Sequence, residues 1–279
     1  MQFFTASDGA KIAYRDEGAG VPLVLLHGLL AHGGFFRAQA PLAKTHRLIT
    51  IDLRGHGESP ANGHAPSVER IAADVGELAE ALDLHDAIGV GWSLGATVLW
   101  QVLAGSQGRR FAGAVIVDMT ARVLNDVHWS LGLTAEACAA RRLAIRDDFA
   151  GFAVNAGEAI FAQPVRDEHR DLAVWASAEF AGSDPAAMAA VWDSLVEQDM
   201  RAALPGLTLP TLIVHGGESQ LYGDDTAAFL VANLPNARSE RFDRSGHAPH
   251  LEEPERFNQL LSDFAARLSR ASTPQSTVS

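Results

Sequence analysis

Five consecutive residues, Gly91-Trp92-Ser93-Leu94-Gly95, restrict what this chain can fold into more than any others. An apolar run, Ala87-Ile88-Gly89-Val90, leads into them. Behind them Ala96-Thr97-Val98-Leu99-Trp100-Gln101-Val102-Leu103 has helical spacing. A strand that turns sharply into a helix with serine at the tip holds the hydroxyl clear of the sheet. Glycine on either side of the tip omits side chains that would collide where the backbone doubles back. A bare Gly-x-Ser-x-Gly also arises by chance, and it is the flanking strand and helix that give it weight. Ser93 is therefore the candidate nucleophile.

Around this turn, strand and helix patterns alternate. Residues 2–20 read as a hairpin turning at Ser7-Asp8-Gly9, with Lys11–Arg15 alternating as a half-exposed strand does. Val21–Leu26 is continuously apolar, as a strand covered on both faces must be. The spacing predicts a helix over 35–44, a strand over 48–51, and a helix capped by Ser67 with Ile71, Val75, Leu78 and Leu82 on one stripe. Another apolar run, Gly113-Ala114-Val115-Ile116-Val117, ends at Asp118. Such alternation builds a mostly parallel sheet with helices on both faces, an α/β architecture.

The rhythm stops near Met119 and resumes at Leu207–Val214. Residues 119–206 are Ala-rich and carry scattered aromatic residues but almost no strand pattern, so they are expected to form an inserted helical cap. One helix starts at Asp184-Pro185, an N-cap followed by proline at the first helical position, with Met188, Trp192, Leu195 and Asp199 on one side. The expected division is a core of 1–118 and 207–270, a cap of 119–206 and a polar tail of 271–279. Helices are expected near 226–234 and over 257–268, the first begun by Asp224-Asp225, whose carboxylates favour a helix N-terminus.

Composition excludes several function classes. The chain holds 22 Lys and Arg against 34 Asp and Glu, a formal charge of −12, and an acidic surface repels phosphate backbones. No apolar run is long enough to span a bilayer. The N-terminus lacks a basic segment followed by an apolar one, so no signal peptide is expected. The single Cys138 excludes an internal disulfide, and no Cys/His cluster has zinc-ligand spacing. The expectation is a cytoplasmic protein with no metal, no cofactor, no nucleic-acid or membrane partner, either monomer or homodimer.

Four motifs, in order and spacing, carry a family resemblance: His27-Gly28, Asp52-x-Arg54-Gly55-His56-Gly57-x-Ser59, Gly91-Trp92-Ser93-Leu94-Gly95, and Ser245-Gly246-His247-Ala248-Pro249-His250-Leu251-Glu252. With them the chain resembles the α/β-hydrolase superfamily, in the serine-nucleophile branch with a helical cap after strand six. The likeness covers residues 2–118 and 207–268, and the cap by position only. It implies an eight-stranded-type, mostly parallel sheet. It also implies that Ser93 is activated by a histidine, held in the right tautomer by an acid. His247 follows a strand and occupies the family's catalytic position. His27, His56 and His215 fall where the family uses histidine structurally, and His250 reads as a helix-start or surface residue. Backbone N–H groups of Leu29 and Leu94 match the family's oxyanion donors.

The acid departs from the common pattern. The family usually places Asp after strand seven, as His-Gly-x-x-Asp, whereas this chain reads His215-Gly216-Gly217-Glu218-Ser219. One group of haloalkane dehalogenases and some lactonases in this fold carry it after strand six, where Asp118 lies. The candidates are Asp118 and, as the alternative, Glu218. Asp52 and Arg54 read as organisers of a turn, Glu58 as a pocket-rim residue and Cys138 as packing. Leu30, Trp92 and Trp129 are expected to line an apolar substrate pocket.

A serine in the nucleophile position points to acyl transfer rather than attack on carbon. The implied activity is a carboxylic-ester hydrolase acting on a small-to-medium apolar ester or lactone. A cofactor-free perhydrolase (haloperoxidase type) and a carbon–carbon bond hydrolase keep the same three residues and stay open. A hydrolase-fold ligand receptor with slow turnover is the alternative of a different class.

Overall fold

The computed structural model describes residues 1–61, 63 and 65–272. Its strands are β1 (Gln2–Thr5), β2 (Lys11–Gly18), β3 (Pro22–Leu26), β4 (Arg47–Ile51), β5 (Ala87–Trp92), β6 (Phe111–Val117), β7 (Thr211–Gly216) and β8 (Ala237–Phe242). They form one eight-stranded sheet in the order β1-β2-β4-β3-β5-β6-β7-β8. The β1–β2 and β2–β4 pairs are antiparallel and all pairs from β4 to β8 are parallel. The continuously apolar strands sit at the centre: every residue of β5 is buried, and so are Leu23–Leu26 of β3. In β2 the expected alternation fails, because Ile12, Ala13 and Tyr14 are buried in succession between β1 and β4.

Register brings the candidate residues to one edge. Leu26 pairs with Gly91, Trp92 with Val117, and Val117 with Val214. The residues that follow Leu26, Trp92 and Val117, namely His27, Ser93 and Asp118, therefore leave the sheet together at its carboxyl end, beside His215 near the end of β7, at the edge where open α/β sheets bind ligands.

Helices α1 (Val68–Ala81) and α2 (Leu94–Ala104) connect the first half of the sheet. Ser67 caps α1 by accepting the Arg70 N–H at 3.2 Å, and Ile71, Val75 and Leu78 are buried. The segment expected as a helix over 35–44 is instead a 3₁₀ stretch, Gly33–Lys44, kinked at Phe36 and containing Pro41, which has no N–H to donate to a helical ladder. Between β6 and β7 stand four helices, α3 (Ala135–Asp147), α4 (Phe149–Ala159), α5 (Arg170–Ala181) and α6 (Pro185–Glu197). Asp184 caps α6 and Met188, Trp192 and Leu195 are buried, but the helix ends before Asp199, which pairs with Arg201. The chain finishes with α7 (Asp224–Asn233), the short α8 (Pro249–Glu252) and α9 (Pro254–Ser272), whose Phe257, Leu261 and Phe264 are buried. Residues 271 and 272 of the expected tail belong to α9, and the rest of that tail lies outside the described residues.

Candidate active site

Ser93 occupies the turn between β5 and α2 with φ 53° and ψ −121°, a left-handed conformation that costs a non-glycine residue energy. The turn tolerates this because nothing bulky flanks it. A side chain on Gly91 would run into the Gly95 carbonyl and the Ala96 backbone, and one on Gly95 into the Leu26 carbonyl. The Ser93 N–H donates to the Val117 carbonyl at 3.0 Å, tying the tip to β6. Its hydroxyl does not cap the helix it precedes and stays available to the cavity.

The β6 strand ends in Asp118, also at positive φ (46°), with its N–H bonded to the Val214 carbonyl at 2.8 Å. Its carboxylate Oδ2 lies 2.6 Å from His247 Nδ1, and both side chains are almost fully excluded from solvent. Ser219, at the position where the family usually has its acid, donates its hydroxyl to the same Oδ2 at 2.6 Å. Glu218 is turned away and forms an ion pair with Arg166 at 2.5 Å. Trp92 fixes the other side of the histidine loop: its Nε1 donates to the His247 carbonyl at 2.8 Å.

One cavity of about 110 Å³ opens onto these groups, lined by Leu29, Leu30, Trp92, Ser93, His247 and Arg141 together with apolar residues of α4 and α5. Leu94 begins α2, so its N–H is one of the four that a helix leaves without an internal acceptor, at the positive end of the helix dipole. Among the described residues neither the Leu29 nor the Leu94 N–H donates to a turn, loop or side-chain acceptor. A serine hydroxyl and a carboxylate-held imidazole on one small cavity, with the Leu29 amide on its wall, are groups that acyl transfer can use.

The sequence matches the family described as the alpha/beta hydrolase family over residues 23–260. The chain belongs to that family. This hydrolase is 31% identical to a pimeloyl-[acyl-carrier protein] methyl ester esterase of Vibrio vulnificus, over 91% of this chain and 98% of the relative. It is 28% identical to a non-heme haloperoxidase of Rhodococcus erythropolis, over 94% and 98%. Among solved structures, an esterase from Exiguobacterium antarcticum superposes with a TM-score of 0.89 at 26% identity, covering 95% of this chain and 98% of that one.

Other residues of the hydrolase fall where their chemistry places them. The expectation that Trp129 lines the pocket is corrected. Its ring packs edge-on against Phe229 of α7 at 4.7 Å and its Nε1 bonds the Arg122 carbonyl, so it braces the start of the insertion, outside the cavity. His27 accepts the Leu53 N–H at 2.9 Å and joins β3 to the loop after β4, and burial holds its pKa well below the usual imidazole value. His56 is pushed down to about 4 by burial. His215 pairs with Asp224 at the start of α7. His250 does begin a helix, but it is fully buried against Trp92 and Phe36, not on the surface. Asp52 accepts the Gly33 and Glu58 N–H groups, and the buried Arg54 is clamped between Asp74 and Asp8, so both organise the turn after β4. Glu58 lies on a separate outer groove.

Three residues that matter here went unread in the sequence. Ser219 was visible only as a missing acid. Glu252 bridges the insertion and the histidine loop, accepting the Ala162 N–H at 2.9 Å and the Gly246 N–H at 2.7 Å. Arg141 shares a face of α3 with the buried Cys138 and Ile145, three and four residues away; a charge on such a stripe was the available signal. Among the described residues no group of three or more His, Cys, Asp or Glu side chains could hold a metal, and no helix is long and apolar enough to cross a membrane.

Proposed function

We propose that this hydrolase cleaves a small-to-medium carboxylic ester or lactone through an acyl-enzyme on Ser93, with His247 as general base and Asp118 as the acid that orients it. The observation that carries the reading is the buried 2.6 Å bond between His247 Nδ1 and Asp118 Oδ2. That bond fixes the tautomer with the proton on Nδ1 and leaves Nε2 as the atom that accepts a proton.

The proposed steps are those of a serine acyl transfer. His247 Nε2 takes the Ser93 proton as Oγ attacks the carbonyl carbon, and the Asp118 carboxylate stabilises the imidazolium that forms. The Leu29 and Leu94 N–H groups receive the developing oxyanion. His247 returns its proton to the alcohol as the C–O bond breaks. Water, deprotonated by the same nitrogen, then attacks the acyl-enzyme and regenerates Ser93. A cavity of about 110 Å³ with mostly apolar walls suits a short acyl chain.

The test is turnover of p-nitrophenyl esters from acetate to dodecanoate by the wild type and Ser93→Ala in parallel. Multiple turnovers that depend on Ser93, with kcat/KM greatest at short chain length, are expected. Turnover that survives Ser93→Ala overturns the acyl-enzyme route. The likeness to a non-heme haloperoxidase favours one second reading, in which hydrogen peroxide replaces water in attack on the acyl-enzyme and releases a peracid. Peroxide- and acetate-dependent halogenation of a dye by the wild type tests it.

A further inference from the structure

The cavity at Ser93 carries one cation. Arg141 reaches it from α3 in the insertion, while most of the other walls, Leu29, Leu30, Trp92, Phe152, Ile160 and Leu221 among them, are apolar. No carboxylate lines the cavity, although the chain as a whole is strongly acidic. The neighbouring arginines of the insertion are paired, Arg142 with Asp193 and Arg146 with Asp147. Among the described residues Arg141 has neither an ion-pair nor a hydrogen-bond partner. Its guanidinium lies 5.0 Å from the Trp192 ring centroid, on the buried face of α3 shared with Cys138 and Ile145.

Holding an unpaired guanidinium in low-dielectric surroundings is costly, and burial accordingly lowers its pKa, opposed by the nearby Tyr222 and Cys138. Stacking on Trp192 recovers part of that cost, and the half-buried guanidinium keeps its N–H donors free of any protein acceptor among the described residues, beside the Ser93 cavity. An arriving anion would satisfy them, and the low dielectric that makes the empty site costly makes the filled one strong.

We propose that Arg141 recognises a carboxylate on the substrate, so that the ester or lactone cleaved by this hydrolase bears a free carboxylate in addition to its reacting carbonyl. The inference rests on the ester-hydrolase reading above. A single guanidinium in so small a cavity, with no second cation on its walls, balances one negative charge. That matches a carboxylate better than a phosphate dianion. The planar fork accepts a carboxylate through two parallel hydrogen bonds, which sets orientation as well as affinity.

Binding can be read apart from turnover. Calorimetry on Ser93→Ala compares monomethyl succinate, glutarate and suberate with their neutral dimethyl esters, and 4-acetoxybutanoate with its methyl ester, which puts the charge on the alcohol side. The expected result is that at least one monoanion binds about tenfold or more tighter than its neutral partner, the range of a hydrogen-bonded charge. Ser93→Ala/Arg141→Met should lose that preference and Ser93→Ala/Arg141→Lys keep part of it, with thermal melts confirming that each is folded. Equal affinity for every charged and neutral pair, no detectable binding of any monoanion, or a preference that survives Arg141→Met overturns the inference. Wild-type hydrolysis of the same esters, compared with Ser93→Ala, reads the ester-hydrolase assignment separately: hydrolysis without charge preference defeats the role of Arg141 alone.

Discussion

The Ser219 hydroxyl and the Asp118 carboxylate are hydrogen-bonded at 2.6 Å, on the same oxygen that holds His247. The serine also accepts, at longer range, from the Leu221 and Tyr222 N–H groups, so its donor direction is set by the loop after β7. The loop after β7 thus places a donor on the carboxylate that ends β6, the one proposed above as the acid. Asp118→Asn should lower kcat by about three to four orders of magnitude, because the amide favours the wrong histidine tautomer. Glu218→Gln should change kcat less than about twofold, since that carboxylate pairs with Arg166 on the surface. Ser219→Ala removes one of two donors and should cost several-fold. Asp118→Asn/Ser219→Asp places a carboxylate beside the original site and should recover at least about tenfold over Asp118→Asn, within the range of one charged hydrogen bond. Ester kinetics across the four variants, with the first showing no loss, would reassign the acid.

These relationships show where sequence reading stopped. The sheet was legible because β3, β5, β6 and β7 are buried on both faces and so are continuously apolar, and Gly91 and Gly95 mark a turn only they permit. Ser93 and Asp118 could be nominated because each follows such a strand, and His247 because it sits in the Ser245-Gly246-His247 motif beyond the polar β8. Trp129 could not be placed, because an aromatic residue in a helical insertion is equally suited to a pocket wall or a brace, and the choice depends on where α7 presents Phe229. His250 was misread for a related reason: a polar residue after proline suggests an exposed helix start, but α8 is a single turn pressed under Trp92. Contacts between distant segments decided each case, and spacing along the chain does not encode them.

Glu252 gives the stability a pH dependence of unusual sign. Burial raises its carboxyl to about 7, against the opposing pull of the Ala162 and Gly246 N–H groups and of Arg166, with His169 nearby at 3.8 Å. The unfolded chain releases this proton near pH 4.5 and the folded chain near 7, so between those values the folded state binds more protons and loses stability as pH rises. The loss amounts to at most about 3 kcal/mol. Urea denaturation at pH 5, 6, 7 and 8 should show Glu252→Gln gaining on the wild type as pH rises. A constant difference between the two proteins across that range would contradict the buried, raised carboxyl.

His250 works in the other direction. Its ring is fully buried, neither nitrogen has a hydrogen-bond partner among the described residues, and burial followed by the charge of His247 lowers its pKa to about 3. Below about pH 6.5 the unfolded imidazole takes up a proton that the folded one refuses, so stability is lost as pH falls. His250→Phe keeps an aromatic ring against Trp92 and Phe36 and removes both the unmet donor and the proton uptake. At pH 7.5 it should equal or exceed the wild type in stability. Between pH 7.5 and 5 the wild type should lose about 2 kcal/mol more than the variant. Parallel slopes would place the acid lability elsewhere, with His27 and His56 next in line.

Trp92 is the last residue of β5 and meets His247 twice, through the bond from indole Nε1 to the His247 carbonyl at 2.8 Å and through a tilted ring contact at 5.7 Å that a phenyl ring can keep in outline. Its ring is otherwise held by Phe35 at 5.9 Å and His250 at 4.8 Å, contacts that do not require the nitrogen. Trp92→Phe therefore preserves the packing in outline and deletes the bond, leaving a buried carbonyl unpaired at a cost of about 1–3 kcal/mol. Since that carbonyl belongs to the histidine itself, the loss is expected to loosen the imidazole more than the pocket. The predicted signature is kcat reduced roughly tenfold with KM nearly unchanged, because only transition-state positioning has been weakened. A variant that loses KM instead, with kcat preserved, would mean that the indole serves the substrate wall and that the hydrogen bond to His247 is incidental to the chemistry.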